Sequence, residues 1–248
     1  MSAEPFHLVG IDVYAQALVE RAHRQGLPMH QVDPGYLLHS WLEAAFGPAA
    51  LRPFVIERQV AGRVRVLAYS AFPVDDLRAH AQTYAAPDIH AAADWASLQG
   101  KAMPATWRVG QRLGFRTRVC PTIRVASEGA HAKKGSEVDA WIAACRKVPR
   151  EAEVVREDVY RAWLGDALTR SEGADMECGR LDEFQLARVL RRTQGDVRTS
   201  KMVQRPEAVL DGTLVVKDPV AFATLLRRGV GRHRAFGFGM LLLMPPRP

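Results

Sequence analysis

The sequence predicts an α+β fold in which one βαββαβ unit occurs twice in tandem. Short runs rich in β-branched and aromatic residues alternate with segments whose apolar residues recur at helical spacing. Turn signals separate the paired runs, and the same order of elements starts again near residue 109. The two halves share no sequence period, so the repeat is one of structure only. This order is that of the ferredoxin-like (RRM-like) fold, and we expect an N-terminal domain at residues 1–108 and a C-terminal domain at residues 109–248.

The first half supplies one complete unit. Its second helix has the clearest limits, because Asp33 is a plausible N-cap, Pro34 suits the first helical turn and Gly47 is a natural C-cap. Ala61 and Gly62 form the turn of a β-hairpin. The predicted elements are a strand at 6–13, helices at 14–26 and 33–47, a hairpin at 52–72, a helix at 73–84, and an irregular edge strand with a linker at 85–108.

The second half repeats this order with a longer hairpin. In its first strand Phe115, Thr117 and Val119 face one way, while Arg116 and Arg118 face the other. The predicted elements are a strand at 110–125, a polar loop at 127–136, helices at 137–147 and 156–168, two strands within 180–218 joined by a turn at 194–196, a helix that ends at Gly229 or Gly231, and a last strand at 235–244.

The composition indicates a soluble basic protein. Of its 248 residues 48% are hydrophobic and 25% charged, and a formal net charge of +7 with a pI of about 9.7 favours a polyanionic partner. No apolar run approaches the roughly 20 residues of a membrane helix, and no secretory signal is visible. The three cysteines, Cys120, Cys145 and Cys178, lie far apart and indicate neither a zinc site nor a disulfide framework. We therefore expect a cytoplasmic protein without membrane association.

The stretch GVGRHRAFGFGMLLL, residues 229–243, places glycines and basic side chains directly before an apolar run. Glycine backbone can approach a ligand closely, and N–H groups beside guanidinium groups make a cradle for phosphate. The spacing fits neither a Walker loop nor a dinucleotide fingerprint. A tight turn with solvated arginines is the alternative interpretation. The candidate RNA-binding residues are Arg228, Gly229, Gly231, Arg232, His233, Arg234, Gly237 and Gly239.

A second set of basic residues flanks the turn of the long hairpin. A cationic hairpin can enter the groove of A-form RNA and contact its phosphates, although a basic edge that deters strand pairing is the alternative. Arg116 and Arg118 could line a cleft between the two domains, or be surface charge. The candidate residues of the hairpin are Arg188, Arg191, Arg192, Arg198, Lys201 and Arg205.

Three stretches resemble one known family. GVGRHRAFGFGMLLL is similar to the C-terminal glycine-rich signature of the CRISPR-associated repeat-RNA endoribonucleases. GFRTRVCPTIR, residues 114–124, resembles the segment that opens the second domain in the CasE (Cse) branch of the type I-E Cascade complex. DPGYLLHSWLEAAFG, residues 33–47, resembles the first helix of that branch. Residues 14–29 form a longer segment than this branch leads us to expect, which leaves a divergent relative from another CRISPR subtype open.

The resemblance implies a reaction. One repeat of a precursor RNA folds as a hairpin and is cut at its 3′ base without metal or other cofactor: the 2′-OH attacks the adjacent phosphate and leaves a 2′,3′-cyclic phosphate and a 5′-OH. The enzyme, monomeric when alone, then hands the product to a CRISPR effector complex. In the family's first helix a tyrosine and a histidine three residues later take part in catalysis, which points to Tyr36 and His39.

The residue types suit this chemistry. His39 can serve as base or acid near neutral pH, and Tyr36 lies one helical turn away on the same face. Lys201 could also reach the scissile phosphate. A helix histidine that merely packs is the alternative for His39, and His233 is the second candidate.

Two other functions compete with the endonuclease. A non-catalytic subunit could hold a guide RNA with the same cradle, and a protein–protein scaffold could use the glycine-rich stretch as a docking surface.

Overall fold

The computed structural model describes residues 5–26, 33–126, 133–149, 152–192 and 200–246, with backbone alone at 189–192 and 200–202. The described elements alternate as predicted, with both halves of mixed α and β structure. In the first half they are β1 (His7–Tyr14), α1 (Ala15–Arg24), α2 (Pro34–Phe46), β2 (Phe54–Val60), β3 (Arg63–Ser70), α3 (Val74–Tyr84), α4 (Pro87–His90) and β4 (Ala93–Ala102). In the second half they are β5 (Arg112–Val119), β6 (Thr122–Arg124), β7 (Glu137–Asp139), α5 (Ala140–Cys145), α6 (Arg156–Thr169), β8 (Ala174–Arg192), β9 (Ser200–Val216), α7 (Pro219–Arg228) and β10 (Leu242–Met244).

The first sheet has the strand order β2-β3-β1-β4, and β1 pairs antiparallel with both β3 and β4. Alternate side chains of β1 are buried, among them Val9, Ile11 and Val13, and they share one apolar core with Leu38 and Trp41 of α2. This core fixes which face of α2 points away from the sheet.

The second sheet repeats that arrangement with the order β10-β5-β9-β8. Leu164 of α6 and Phe222 of α7 pack with Phe115 of β5 and Leu210 of β9 in a second core. In both sheets the first and third strands of the unit are adjacent at the centre, as the ferredoxin-like fold requires. The predicted fold class is therefore confirmed.

The two halves also pack on each other. Phe6 and Tyr69 of the first half belong to the apolar core of the second, and the Tyr69 hydroxyl donates a hydrogen bond to the carbonyl of Leu241 at 2.8 Å. Residues 103–111 join the two sheets, and the domain boundary after residue 108 stays a prediction.

The predicted irregular edge strand is confirmed: β4 lies at the edge of the first sheet, its pairing with β1 shifts register between Gly10 and Asp12, and it is ten residues long. Elements of the second half differ from the sequence-based expectation. Residues 137–139 pair with β6 as a short strand, so the helix predicted from 137 begins at Ala140. The predicted last strand at 235–244 is a 3₁₀ turn at Arg234–Phe236 followed by a strand of three residues, because the backbone has positive φ at Gly237 and Gly239. Within the described ranges, no helix has the length and apolar character needed to cross a bilayer.

Candidate active site

Helix α2 presents the predicted tyrosine–histidine pair away from the core. Asp33 caps the helix by accepting a hydrogen bond from the Gly35 N–H at 2.6 Å, and Gly47 ends it with φ of 87°. Leu38 and Trp41 are fully buried against the first sheet. Tyr36 and His39, which are three residues apart and so share one face of the helix, are half-buried and turned away from that core.

The glycine-rich stretch after α7 forms a closed loop, because a hydrogen bond joins its two ends. α7 ends at Gly229, and the Val230 N–H donates to the carbonyl of Gly239 at 2.8 Å. His233 adopts the left-handed conformation with φ of 60°, and its carbonyl accepts from the Phe236 N–H at 2.8 Å. We call residues 229–239 the glycine loop. Its 3₁₀ turn projects Phe236 toward α2.

Phe236 brings the glycine loop and α2 together. Its ring lies 5.9 Å from that of Tyr36 and 5.4 Å from that of His39, the latter edge to face at 88°. Gly35 has no side chain where α2 meets the loop, and a Cβ atom at this position would collide with the Phe236 carbonyl oxygen. The two regions that sequence reasoning singled out, far apart in the chain, thus form one site.

Arg118 contacts both the glycine loop and the N-terminus of α2. Its guanidinium donates to both carboxylate oxygens of Glu207, at 2.6 and 2.8 Å, and lies 3.5 Å from Asp33, the cap of α2. It also donates to the Phe236 carbonyl at 3.3 Å and stacks 4.0 Å over the Phe238 ring. Two buried carboxylates match the charge of Arg118, and its contact with RNA stays a prediction.

His39 is poised to be uncharged near neutral pH. Burial lowers the pKa of His39 and the charge of Arg52 lowers it further, while Glu43, whose Oε2 lies 3.7 Å from the His39 Nε2, acts to raise it. The net direction is downward. A neutral imidazole can accept a proton, which a base for an RNA hydroxyl must do.

Arg52, Arg228 and Arg234 are neighbouring cations, and Arg52 lies next to His39. Arg52 follows α2 and lines the same small hollow as His39 and Glu43. Arg234 donates to the Arg228 carbonyl at 2.9 Å, and the pKa of its guanidinium is lowered by burial and by repulsion from Arg228 and Arg52. None of the three arginines forms an ion pair with a carboxylate of the described residues, and cations that repel one another in this way favour an anionic ligand.

The other side of the glycine loop contains a carboxylate that contacts several of the predicted basic residues. Glu137 of β7 receives a hydrogen bond from Arg232 and lies 3.3 Å from the Arg205 Nε and 3.5 Å from the His233 Nε2. These partners outweigh burial, so the pKa of Glu137 is lowered. Burial also lowers the pKa of His233. Part of the positive charge predicted to hold RNA is therefore neutralised by a carboxylate that the prediction did not include.

The remaining predicted residues are dispersed. Arg116 is paired with Asp182 and Glu183, at 2.6 and 3.0 Å, so its predicted contact with RNA would require breaking two ion pairs. Arg188 is exposed on β8, and Lys201 of β9 stands opposite Arg191 in the register of the hairpin. Arg192 pairs with Ser200, and Arg198 lies outside the described residues. The described part of the chain contains no cluster of three His, Cys, Asp or Glu residues that could hold a metal.

Sequence reasoning missed Arg52 and Phe236, in addition to the carboxylates Glu137 and Glu207. Arg52 was read only as the start of a strand, and nothing in its surroundings in the sequence marks it as a neighbour of His39. Phe236 lay within the glycine-rich stretch but was not named, although an aromatic residue between glycines is a usable signal for a ring that packs across a loop.

Known proteins of one family match this chain in sequence. The profile of a family described as CRISPR associated protein matches residues 15–245. The CRISPR-associated endoribonuclease Cse3 of Thermus thermophilus is 28% identical over 138 residues, which are 55% of this chain and 57% of that relative, so the match spans little more than half of its length.

Solved structures show the same fold across almost the whole chain. A structure of CRISPR endoribonuclease Cse3 bound to 19 nt RNA superposes with a TM-score of 0.64 at 20% identity, covering 98% of this chain and all of that one. Cas6e of Escherichia coli K-12 gives a TM-score of 0.57 at 19% identity, covering 96% of this chain and 99% of that one. The resemblance stated from the motifs is thereby confirmed, and the chain belongs to the family of CRISPR-associated proteins.

Proposed function

We propose that this protein is an endoribonuclease that cuts CRISPR precursor RNA at the 3′ base of the repeat hairpin. The observation that carries the proposal is the packing of Tyr36 and His39 against Phe236, which sets a proton acceptor beside a cationic loop. The Cse3 and Cas6e relatives, one of them solved with RNA, support the substrate class.

In the proposed reaction the ribose 2′-OH attacks the neighbouring phosphate. His39 accepts the 2′-OH proton, since its lowered pKa leaves the imidazole neutral at pH 7. Tyr36, on the same face of α2, donates a proton to the departing 5′-oxygen. The P–O5′ bond breaks as the P–O2′ bond forms, which yields a 2′,3′-cyclic phosphate and a 5′-OH. This route uses groups of the protein and the RNA alone, so we expect it to proceed in EDTA.

The pentacoordinate intermediate carries an additional negative charge. Arg52, which acts on His39, and Arg234, which Arg52 repels, would stabilise that charge, and neither forms an ion pair with a carboxylate of the described residues. We assign the stem of the RNA hairpin to the β8–β9 hairpin, whose paired strands extend to Arg192 and Ser200 and carry most of the predicted basic residues. Retention of the cut product and its delivery to a Cascade-like effector complex are part of the proposal.

The test is cleavage of RNA that carries the host's own repeat, by the wild-type protein and by His39→Ala and Tyr36→Phe variants. We expect His39→Ala to bind the hairpin as tightly as wild type while cleavage falls by a factor of about 10² to 10⁴, the usual contribution of a general base. Analysis of the ends, in EDTA, should find a cyclic phosphate and a 5′-OH. Glu43→Gln is the matched control, since it alters a neighbour of His39 but no proposed reacting group.

Two results would contradict the proposal. Unchanged cleavage by His39→Ala would remove His39 from the reaction. Tight binding of the hairpin by wild-type protein without any cleavage would identify a guide-RNA-binding subunit in place of an enzyme. Weak binding that does not respond to salt would favour the scaffold.

A further inference from the structure

A groove lies behind the glycine loop, shares Arg228, Gly229, Gly231 and Arg234 with the predicted RNA-binding stretch, and extends to residues of α6 and α7 that no predicted site includes. It has a volume of about 640 Å³ and runs between the end of α6 and the outer face of α7, with Gly229 and Gly231 along its floor. Three arginines line it: Arg170 just after α6, Arg228 at the end of α7, and Arg234 in the glycine loop. We call it the α6–α7 groove.

The charge of this groove is not compensated in the way seen elsewhere in the second half. Arg116, Arg118 and Arg232 all form ion pairs with described carboxylates. None of the three groove arginines forms an ion pair with any carboxylate in the described ranges. Glu172 and Asp218 also line the groove, but Asp218 is engaged in capping α7 through the Ala221 N–H at 2.7 Å. Three arginines against two carboxylates leave the groove with an excess of one positive charge, and the arginines, which have no ion-pair partner among the described residues, are available to contact phosphates.

The groove adjoins the candidate active site through the glycine loop. Arg234 lines the groove and begins the 3₁₀ turn that carries Phe236, whose ring packs on His39. The opposite side of the glycine loop is turned toward β7 and β9, where Arg232 and Arg205 meet Glu137. A nucleic-acid strand that passes the site thus has one cationic exit on the side away from the β8–β9 hairpin.

We propose that the α6–α7 groove binds the single-stranded RNA that continues 3′ of the scissile phosphate, through contacts of Arg170 and Arg228 with its phosphates. This rests on the proposed function. The stem of a hairpin cut at its 3′ base lies on the 5′ side of the cut, so the 3′ strand must leave the site by another path. Because cleavage separates this strand from the hairpin, the groove contributes to the binding of substrate and not of product.

The test compares two RNAs that carry the host's repeat hairpin. One ends at the nucleotide whose 2′-OH would attack. The other has a short single-stranded 3′ extension and a 2′-deoxy group at that nucleotide, so that it cannot be cut. Arg170→Ala should weaken binding of the extended RNA roughly three- to tenfold, reduce the slope of log affinity against log salt by about one, and leave the short RNA unaffected. Arg146→Ala, which removes an equal charge at the end of α5, is the matched control and should change neither affinity.

The outcomes separate the inference from the proposed function. If wild-type protein cuts the repeat but Arg170→Ala binds the extended RNA as Arg146→Ala does, the groove proposal is wrong and the enzyme stands. An equal loss on both RNAs also overturns it, because the groove would then not distinguish substrate from product. If wild-type protein neither binds nor cuts the repeat, the proposed function fails first.

Discussion

Arg118 provides the strongest test of how the site is held together. We consider Arg118→Met, which keeps the length of the side chain and removes its charge. Glu207 and Asp33 are only 6% and 8% exposed, so both carboxylates would lose their cation inside the protein. Removing one partner of a buried ion pair typically costs about 3–5 kcal/mol, because the remaining charge stays buried without compensation. That is a large part of the roughly 5–15 kcal/mol that stabilises a native protein.

The expected loss depends on pH in a definite direction. Burial acts to raise the pKa of Glu207, but the hydrogen bonds and charge of Arg118 lower it below its usual value. Burial raises the pKa of Asp33 even with Arg118 present. Both pKa values should rise in the variant, which can then relieve the buried charges by protonation. The difference in stability from wild type is therefore fully present at neutral pH and shrinks as the pH falls through the raised pKa values.

The assay is urea unfolding followed by circular dichroism at several pH values. Arg116→Met, on the same strand, is the matched control. Its partners Asp182 and Glu183 are more exposed than Glu207 and Asp33, and its third partner, the buried Asp211 at 3.8 Å, keeps a second cation because Arg180 lies 3.2 Å away. The loss of stability should therefore be about 1 kcal/mol or less. Adding Glu207→Gln to Arg118→Met should recover part of the stability. A loss no larger than that of Arg116→Met, or one independent of pH, would refute the reasoning.

Two further variants probe the same site. Gly35→Ala places a methyl group against the Phe236 carbonyl and should cost about 1–3 kcal/mol of stability by overpacking, which would lower the melting temperature and slow cleavage. The control is Gly165→Ala in α6, whose added Cβ makes only an ordinary contact with Met176 and should change neither property. Equal behaviour of the two variants would contradict the contact between Gly35 and Phe236. Arg52→Ala removes a charge that lowers the pKa of His39, so the pH at which the cleavage rate falls on the acid side should move upward. Arg52→Lys keeps the charge and should leave that pH unchanged. If it is unchanged in both variants, Arg52 does not act on His39.

Local signals in the sequence were sufficient for much of the fold. Asp33, Pro34 and Gly47 set the limits of α2 through capping, which depends on residues within one turn of the helix. Ala61 and Gly62 both have positive φ, as a tight hairpin turn requires, and β2 and β3 pair around them. Such features need no knowledge of distant contacts.

The partners of the site residues could not be predicted, because they are distant in the sequence. Arg118 was predicted to contact RNA as a residue that could line a cleft between the domains, and its partner Glu207, which comes from β9, 89 residues away, could not be foreseen. Arg52 becomes a neighbour of His39 only when the chain folds back after α2. In the same way, the apolar run before the C-terminus predicted a long strand, whereas the glycines within it allow the turn that carries Phe236. The role of each charge was decided by its partners in space.

The buried Tyr69 hydroxyl, hydrogen-bonded to the Leu241 carbonyl, makes the first half depend on the second. A fragment that stopped after the first sheet would expose that ring together with Phe6 to water and leave a polar group without its acceptor. Neither copy of the βαββαβ unit is then a free-standing module. We expect both units to unfold in one cooperative step on heating. A chimera that takes one half from a relative should fold only if the residues that contact Tyr69 are transferred with it.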